Sequence, residues 1–541
     1  GDDKVPVDPA TGGTAKDVFV SYALDRLNST LDGKLHVGLV PDDSPSTIAA
    51  ELESICGAVG ADEVYYPLTH SKEAEEELQR ELAKRKMKSR PFGLSFSLLD
   101  YTYDKDSVPW KDIILSHSYQ RSPLIPFVDW LLSKLKGCPP RKPLPCPVGL
   151  EEMLHALKEN GLRSPTTTGG LIHSIGKSPG GYDWGRSIIE SWPPSEKDAM
   201  DNLEKFLASV KRSDDCGNDA TDNVSESSAA KRTHLASRLS PYLARGLLSP
   251  QQVYDALLTQ LDSVDTASFI RRLCWRDYTY AVTALFPDIE NGKPIREAYY
   301  SDEAQPYDGE VLELDAETRR RFDLWKEGRT GFPLVDAGLR QLVSEGWMPQ
   351  KVRLAASACL VEGLDVPWEV GMQHFAEYLV DYDSSINANM WQNAGCVGFD
   401  PYYVGLRYKK RPYWDRDGKY VRRYVPELSC LDFAQVPEAQ RGTGLFRVDC
   451  LYEPWSSPID VLEKAGIELG GTYPHRACDE RTARRNFFGR LRVKRKKWSN
   501  DLLDERGLDL VRLGRNEHDE RIGIFTPKAL LDKRQFRLQQ K

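Results

Sequence analysis

Apolar residues Val18, Phe19, Tyr22, Leu24, Leu27 and Leu31 recur at helical spacing, and the run Leu35-His36-Val37-Gly38-Leu39-Val40 after them reads as a strand. Ile48, Leu52, Ile55 and Val59 restore the helical period, and Val64-Tyr65-Tyr66 is a second short strand. A charged helix from about Ser71 to Met87 and a third strand around Phe92 to Leu99 complete the alternation. Such an order predicts a small α/β domain over residues 1–135, a Rossmann-like parallel sheet covered by helices. Residues 137–195 are rich in Pro, Gly and Ser, and Ser213 to Ala230 is polar and low in complexity, so 136–232 reads as a connector with a disordered stretch. From Thr233 to about Phe488 the pattern is helical almost throughout, which predicts a large all-α domain over 233–490.

Charge alters the picture at the end of the chain. The 541 residues carry 73 Lys and Arg against 81 Asp and Glu, a net charge of -8, so a nucleic-acid site would have to be a local basic groove. Residues 491–541 reverse the sign, with 14 Lys and Arg against 8 Asp and Glu, or 14 - 8 = +6. This basic extension reads either as a solvated tail or as a nuclear-import or partner-binding segment. No run of about 18 apolar residues exists, which predicts a soluble protein. The ten cysteines form no CxxC pair and the nine histidines do not fall at ligand spacing near them, so no metal site is expected.

Candidate chemistry concentrates in Asp381-Tyr382-Asp383-Ser384-Ser385-Ile386-Asn387-Ala388-Asn389-Met390-Trp391, two carboxylates and several amides inside an apolar helical region. Burying them costs several kcal/mol unless each finds a partner, and Arg353 on the preceding helix suits Asp381. By itself this cluster is equally a structural ion pair.

Further segments narrow the choice: Ser237-Arg238-Leu239-Ser240-Pro241-Tyr242-Leu243, Leu273-Cys274-Trp275-Arg276-Asp277-Tyr278, Trp325 through Ala337, Gly346-Trp347-Met348, Asp417-Gly418-Lys419-Tyr420 running into Arg422 through Leu428, and Glu453-Pro454-Trp455. In this order they closely resemble the cryptochrome/photolyase family, over roughly Val5 to Phe488. Within it the chain most resembles plant-like or DASH-related cryptochromes. The resemblance implies an N-terminal α/β domain and a helical domain holding FAD in a folded pose. It places Ser237, Arg238, Leu239 and Ser240 at the pyrophosphate, with Trp275, Arg276, Gln350 and Arg353 around the cofactor. Asp381 would lie beside the isoalloxazine ring, Asp383 at its polar edge and Asn387 opposite N5. Trp391 and Trp368 match the first two tryptophans of the chain that reduces photoexcited flavin. The third is replaced by Asp315, with Tyr300 and Tyr307 as nearby candidates.

Departures from the family pattern bear on function. An amide such as Asn387 can hydrogen-bond N5 but has no acidic proton to give; plant-type cryptochromes typically carry Asp there, photolyases and the DASH subgroup Asn. Trp275 keeps one stacking indole for a flipped-out pyrimidine dimer, but Asn393 replaces the second, Arg272 stands where a dimer-binding Glu is expected, and Gln350 replaces a dimer-contacting Asn. Pro349 replaces the histidine needed for (6-4) repair. Val5-Pro6-Val7-Asp8-Pro9 resembles the end of the family's second strand, so its first strand is expected to be missing. A folate antenna (methenyltetrahydrofolate) would use polar residues around His70 to Glu77.

These substitutions favour an FAD-based blue-light photoreceptor that signals to an unknown protein through the C-terminal extension. The alternative is a light-driven photolyase acting on cyclobutane dimers, with single-stranded DNA as partner. Nucleus and plastid are the expected compartments.

Overall fold

The computed structural model describes residues 44–59, 63–67, 72–92, 108–115, 124–136, 184–215, 237–260, 263–296, 314–400, 411–431 apart from 416, and 449–496, with positions 23 and 98 and short stretches between 502 and 530. The chain divides into two compact units. One comprises Gly1–Trp110, Leu124–Leu285 and Val380–Tyr382; the other Lys111–Pro123, Phe286–Leu379 and Asp383–Lys541. The division falls inside the helical region, at Leu285, and not at residue 233.

In the first unit, helix α1 (Pro45–Val59), strand β1 (Glu63–Pro67), helix α2 (Lys72–Lys84) and strand β2 (Lys88–Phe92) follow in order. The strands pair in parallel from Glu63↔Lys88 to Pro67↔Phe92, the only sheet among the described residues of this unit. Leu78 and Leu82, one turn apart on an otherwise charged helix, pack with Ala49 and Val64, which is why α2 holds despite its composition. Its end is a Schellman turn: Met87 N–H donates to Leu82 O at 3.0 Å across Lys86, whose φ is +61°. The strand after it begins at Lys88, earlier than the Phe92 to Leu99 expected. Lys88-Ser89-Arg90-Pro91 has no apolar alternation, and pairing with β1, not pattern, selects it. The predicted helix over Val18 to Leu31, save Ala23, and the predicted strand Leu35 to Val40 lie outside the described residues.

Helix α3 (Trp110–Leu115) is followed by α4 (Leu124–Leu135), α5 (Trp184–Ser191), α6 (Glu196–Asp215), α7 (Ser240–Ala244), α8 (Pro250–Gln260) and α9 (Ser263–Leu285). Helices α5 and α6 correct the connector reading of 136–232. Ser195 caps α6 by accepting Asp198 N–H at 3.1 Å, and Ala199, Leu203, Phe206, Leu207 and Val210 make one buried stripe. Phe206 meets Phe269 of α9 edge-on at 4.7 Å. The centre of α9 rests on Trp110 and Phe127 through Tyr278, at 6.1 and 5.4 Å.

The second unit is built from α10 (Ala316–Lys326), α11 (Pro333–Glu345), α12 (Gln350–Ala358), α13 (Trp368–Tyr378), α14 (Ser384–Ala394), α15 (Lys419–Tyr424), α16 (Ile459–Lys464) and α17 (Glu480–Lys496). Its core is aromatic: Trp325, fully buried, donates Nε1–H to Ala356 O at 2.8 Å and touches Phe375 and Trp391. Close approach of α13 and α14 depends on two glycines. A Cβ on Gly371 would stand 2.2 Å from Trp391 Cη2, and one on Gly395 2.6 Å from Trp368 Cδ1.

The C-terminal extension is not a solvated tail in its described parts. Helix α17 runs through the expected boundary at 490, and β3 (Asp509–Arg512) pairs antiparallel with β4 (Arg521–Ile524). Leu508, Val511 and Ile524 are buried, and Asp509 is enclosed between Arg296 and Arg495. Among the described residues no helix is long and apolar enough to cross a membrane.

Candidate functional site

The expected cofactor residues divide between the units. Ser237, Arg238, Leu239, Ser240, Trp275, Arg276 and Asp381 belong to the first; Gln350, Arg353, Trp368, Asp383, Asn387 and Trp391 to the second.

In the first unit, Leu239 caps α7 without a side-chain cap, since it has no hydroxyl or carboxylate to offer. Arg238 before it has φ +55°, a left-handed conformation costing a non-glycine residue of order 1–3 kcal/mol, and stacks its guanidinium 4.2 Å over Trp192. Strain held in place by stacking at the very loop expected to meet the pyrophosphate marks it as a built feature. On α9, Asp277 is fully buried and accepts Leu98 N–H with both oxygens, at 3.1 and 3.2 Å. Arg276, also buried, donates to Tyr280 Oη at 3.0 Å, while Trp275 is half-buried and Arg272 exposed. Arg245 donates to Tyr382 O at 2.5 Å, fixing the short segment that carries Asp381.

In the second unit, Asp383 caps α14 by accepting Ile386 N–H at 2.9 Å, a duty the sequence reading did not assign it. Ser384 and Ser385 both donate to Glu290 Oε1, at 2.7 and 2.8 Å. Glu290 was missed, because nothing near it in sequence hints at two hydroxyls 94 and 95 residues on. The buried Asn387 donates Nδ2–H to Met372 O at 3.0 Å, which fixes its amide and leaves Oδ1 uncommitted among the described residues. Arg353 donates Nε–H to Met348 O at 3.0 Å, and exposed Gln350 lies 3.7 Å from Met390 Sδ. The predicted Arg353–Asp381 pair takes one member from each unit.

Residues 269–493 match the model of the FAD-binding domain of DNA photolyase. A deoxyribodipyrimidine photo-lyase of Agrobacterium fabrum is 31% identical over 56% of this chain and 57% of its own length. Cryptochrome-1 of Arabidopsis thaliana is 38% identical over 28% of this chain and 21% of its own. The chain is similar to both photolyases and cryptochromes. It carries an FAD-binding domain of the photolyase type and spans about half the length of the curated photolyases it matches. The fold is likewise shared: a bacterial class III photolyase from Agrobacterium tumefaciens superposes with a TM-score of 0.63 at 23% identity, covering 91% of both chains. A cryptochrome from Synechocystis sp. PCC6803 gives 0.57 at 19%, covering 88% of both.

Within this family fold, the position of the absent third tryptophan has a plain explanation. Asp315 is the N-cap of α10, accepting Glu317 and Thr318 N–H at 3.0 Å each, so its carboxylate serves the helix end. Tyr300, Tyr307 and His70 lie outside the described residues. Asn393 is buried, its Oδ1 against Gly398, where a Cβ would stand 2.4 Å away. Among the described residues, the rings that meet Trp391 are Phe375 at 5.0 Å and Trp325 at 6.2 Å; Trp368 is not one of them.

Proposed function

We propose that this chain is an FAD-based blue-light photoreceptor of the cryptochrome type. The observation that carries the proposal is Asn393. By resemblance it stands where dimer-binding relatives place a second stacking indole, and it is 5% exposed and packed on Gly398, so no base can stack there. Loss of one stacking platform costs about 1–3 kcal/mol of base binding. Arg272 adds a cation where a dimer-contacting carboxylate is expected.

The residues present fit FAD. Ser237 and Ser240 offer hydroxyls near the strained Arg238 backbone, and Arg276 a guanidinium, a donor set suited to phosphates. Trp275 and Asp381 in the first unit, and Gln350, Arg353 and Asp383 in the second, are the further cofactor residues that the resemblance implies. When bound, FAD supplies a one-electron acceptor that blue light makes strongly oxidising. Asn387, anchored on Met372 O, would present an amide to N5: it can accept a hydrogen bond there but has no acidic proton to donate. Trp391 would give up the first electron from a site that excludes water, being 1% exposed; the resemblance pairs it with Trp368, whose ring does not meet it among the described residues.

A signalling protein would read the C-terminal segment. Its support is a continuous chain in the second unit: the residues after α14, Val397 and Gly398, accept from Arg296, which holds Asp509 of β3. A charge change beside α14 thus has a packed route to the extension.

The second function to weigh is a light-driven lyase for cyclobutane dimers in single-stranded DNA, favoured by Trp275 and Asn387 and by the photo-lyases among the relatives. Illuminating the reduced, FAD-loaded protein with a single-stranded oligonucleotide bearing one dimer separates them. A photoreceptor leaves the dimer intact while its flavin photoreduces; recovery of thymine absorbance with turnover makes it a photolyase.

A further inference from the structure

Trp391 needs a neighbour to which its oxidising equivalent can move, and the third tryptophan of the expected route is a helix cap. The ring contacts give another direction. Trp325 lies edge-on to Trp391 at 6.2 Å, with Phe375 touching both, at 6.1 and 5.0 Å. His374 meets Trp325 at 5.3 Å and then Tyr378 at 4.6 Å. Centroid separations of this size put ring edges in van der Waals contact. The path ends at half-buried Tyr378, whereas Trp325 is fully buried with its N–H held by Ala356 O. An oxidised Trp325 therefore has no water to take its proton, and Tyr378 sits nearer the surface.

We propose that the electron vacancy created on Trp391 passes to Trp325 and comes to rest on Tyr378, across the His374 ring. This inference rests on the photoreduction reading above. The balance is one electron throughout: Trp391 would give one electron to the bound, light-excited cofactor, Trp325 refills Trp391, and Tyr378 refills Trp325. Tyr378 releases its phenolic proton to water and remains a neutral tyrosyl radical until an external thiol reductant restores it.

His374 is suited to lie on this path as a packed ring and not as a stopping point, since imidazole is harder to oxidise than indole or phenol. Its Nε2 is buried without a hydrogen-bond partner, a cost that packing alone does not require. Burial, with the charge of Lys326 adding to it, lowers its pKa to about 3, so the ring is neutral at physiological pH. A neutral ring does not repel the positive charge on Trp325, as an imidazolium would.

The test is a flash experiment on the FAD-loaded full chain, reading radicals by electron paramagnetic resonance and transient absorption. The unsubstituted protein is expected to give a tyrosyl signal after blue excitation. Tyr378→Phe and Trp325→Phe should each lose it, and Trp368→Phe should keep it. Because Trp325 is fully buried, Tyr378→Phe at the half-buried end is the variant that stands if Trp325→Phe fails to fold. A tyrosyl signal that survives Tyr378→Phe, or a Trp368→Phe variant that alone blocks radical formation, overturns the route. Trp391→Phe distinguishes the levels: if its flavin still bleaches, the photoreduction reading itself falls; if bleaching is lost but Tyr378→Phe matches the unsubstituted protein, only the branch falls.

Discussion

Asp509→Asn should destabilise the second unit far more than a surface change would. Asp509 and Arg296 are each 0% exposed and Arg495 5%. Arg296 Nη1 lies 2.5 Å from Asp509 Oδ2, and Arg495 reaches Oδ1 with Nε at 3.0 Å and Nη2 at 2.9 Å. Asparagine keeps the shape and removes the charge, leaving two guanidiniums desolvated against an amide. Breaking a buried charge pair in this way costs about 3–5 kcal/mol, a large part of the roughly 5–15 kcal/mol that holds a domain. Urea unfolding followed by far-UV circular dichroism should move the midpoint down by about 1–1.7 M, taking a slope of about 3 kcal/mol per M. Hydrogen exchange should locate the loss at residues 395–400 as well as in the hairpin, because Arg296 also donates to Val397 O at 3.0 Å and Gly398 O at 2.9 Å. Replacing all three together, Arg296→Met, Asp509→Leu and Arg495→Met, should recover most of the loss. A cost of Asp509→Asn below about 1 kcal/mol would refute the reasoning, since exposed pairs are worth that little.

Gly371→Ala puts a Cβ 2.2 Å from Trp391 Cη2 and should cost about 1–3 kcal/mol, with a shifted Trp391 emission spectrum. Burial lifts the Glu369 carboxyl to about 7, against 4.5 in the unfolded chain, with a smaller opposing pull from its own backbone and from Lys494. The folded state therefore binds the proton more tightly, so its contribution to stability falls as pH rises from about 4.5 to 7. Glu369→Gln should be more stable than the unsubstituted protein above pH 7, by about 1–2 kcal/mol once partial exposure is allowed for, and melting curves across pH would test it. Asn387→Asp would place an acidic proton at the N5 position, and illuminated spectra should then accumulate the protonated flavin radical; unchanged spectra would remove Asn387 from that edge.

Local patterns were enough for much of this protein. Periodicity alone located α1, β1, α2 and the helical run that holds α9 to α17, because an apolar stripe at helical or strand spacing has few ways to be buried. The ordered segments from Ser237 to Trp455 pointed to the family and its cofactor, and the similarity of residues 269–493 to the photolyase FAD-binding domain agrees.

Long-range partnership needed the tertiary structure. Glu290 meets Ser384 and Ser385 from 94 and 95 residues away, and Asp509 meets Arg296 from 213, distances at which no periodic signal survives. The basic count of residues 491–541 concealed a carboxylate whose burial between two arginines anchors the segment. Asp315 looked like a missing electron donor until α10 began at the next residue. Trp325 was legible only as part of a motif; its edge-on contact with Trp391 arises from the packing of α10, α13 and α14, where glycines at 371 and 395 admit the indoles. Sequence spacing specifies what a residue can do along one element, whereas a redox or ionic partner is chosen by which elements the core brings within a few ångströms.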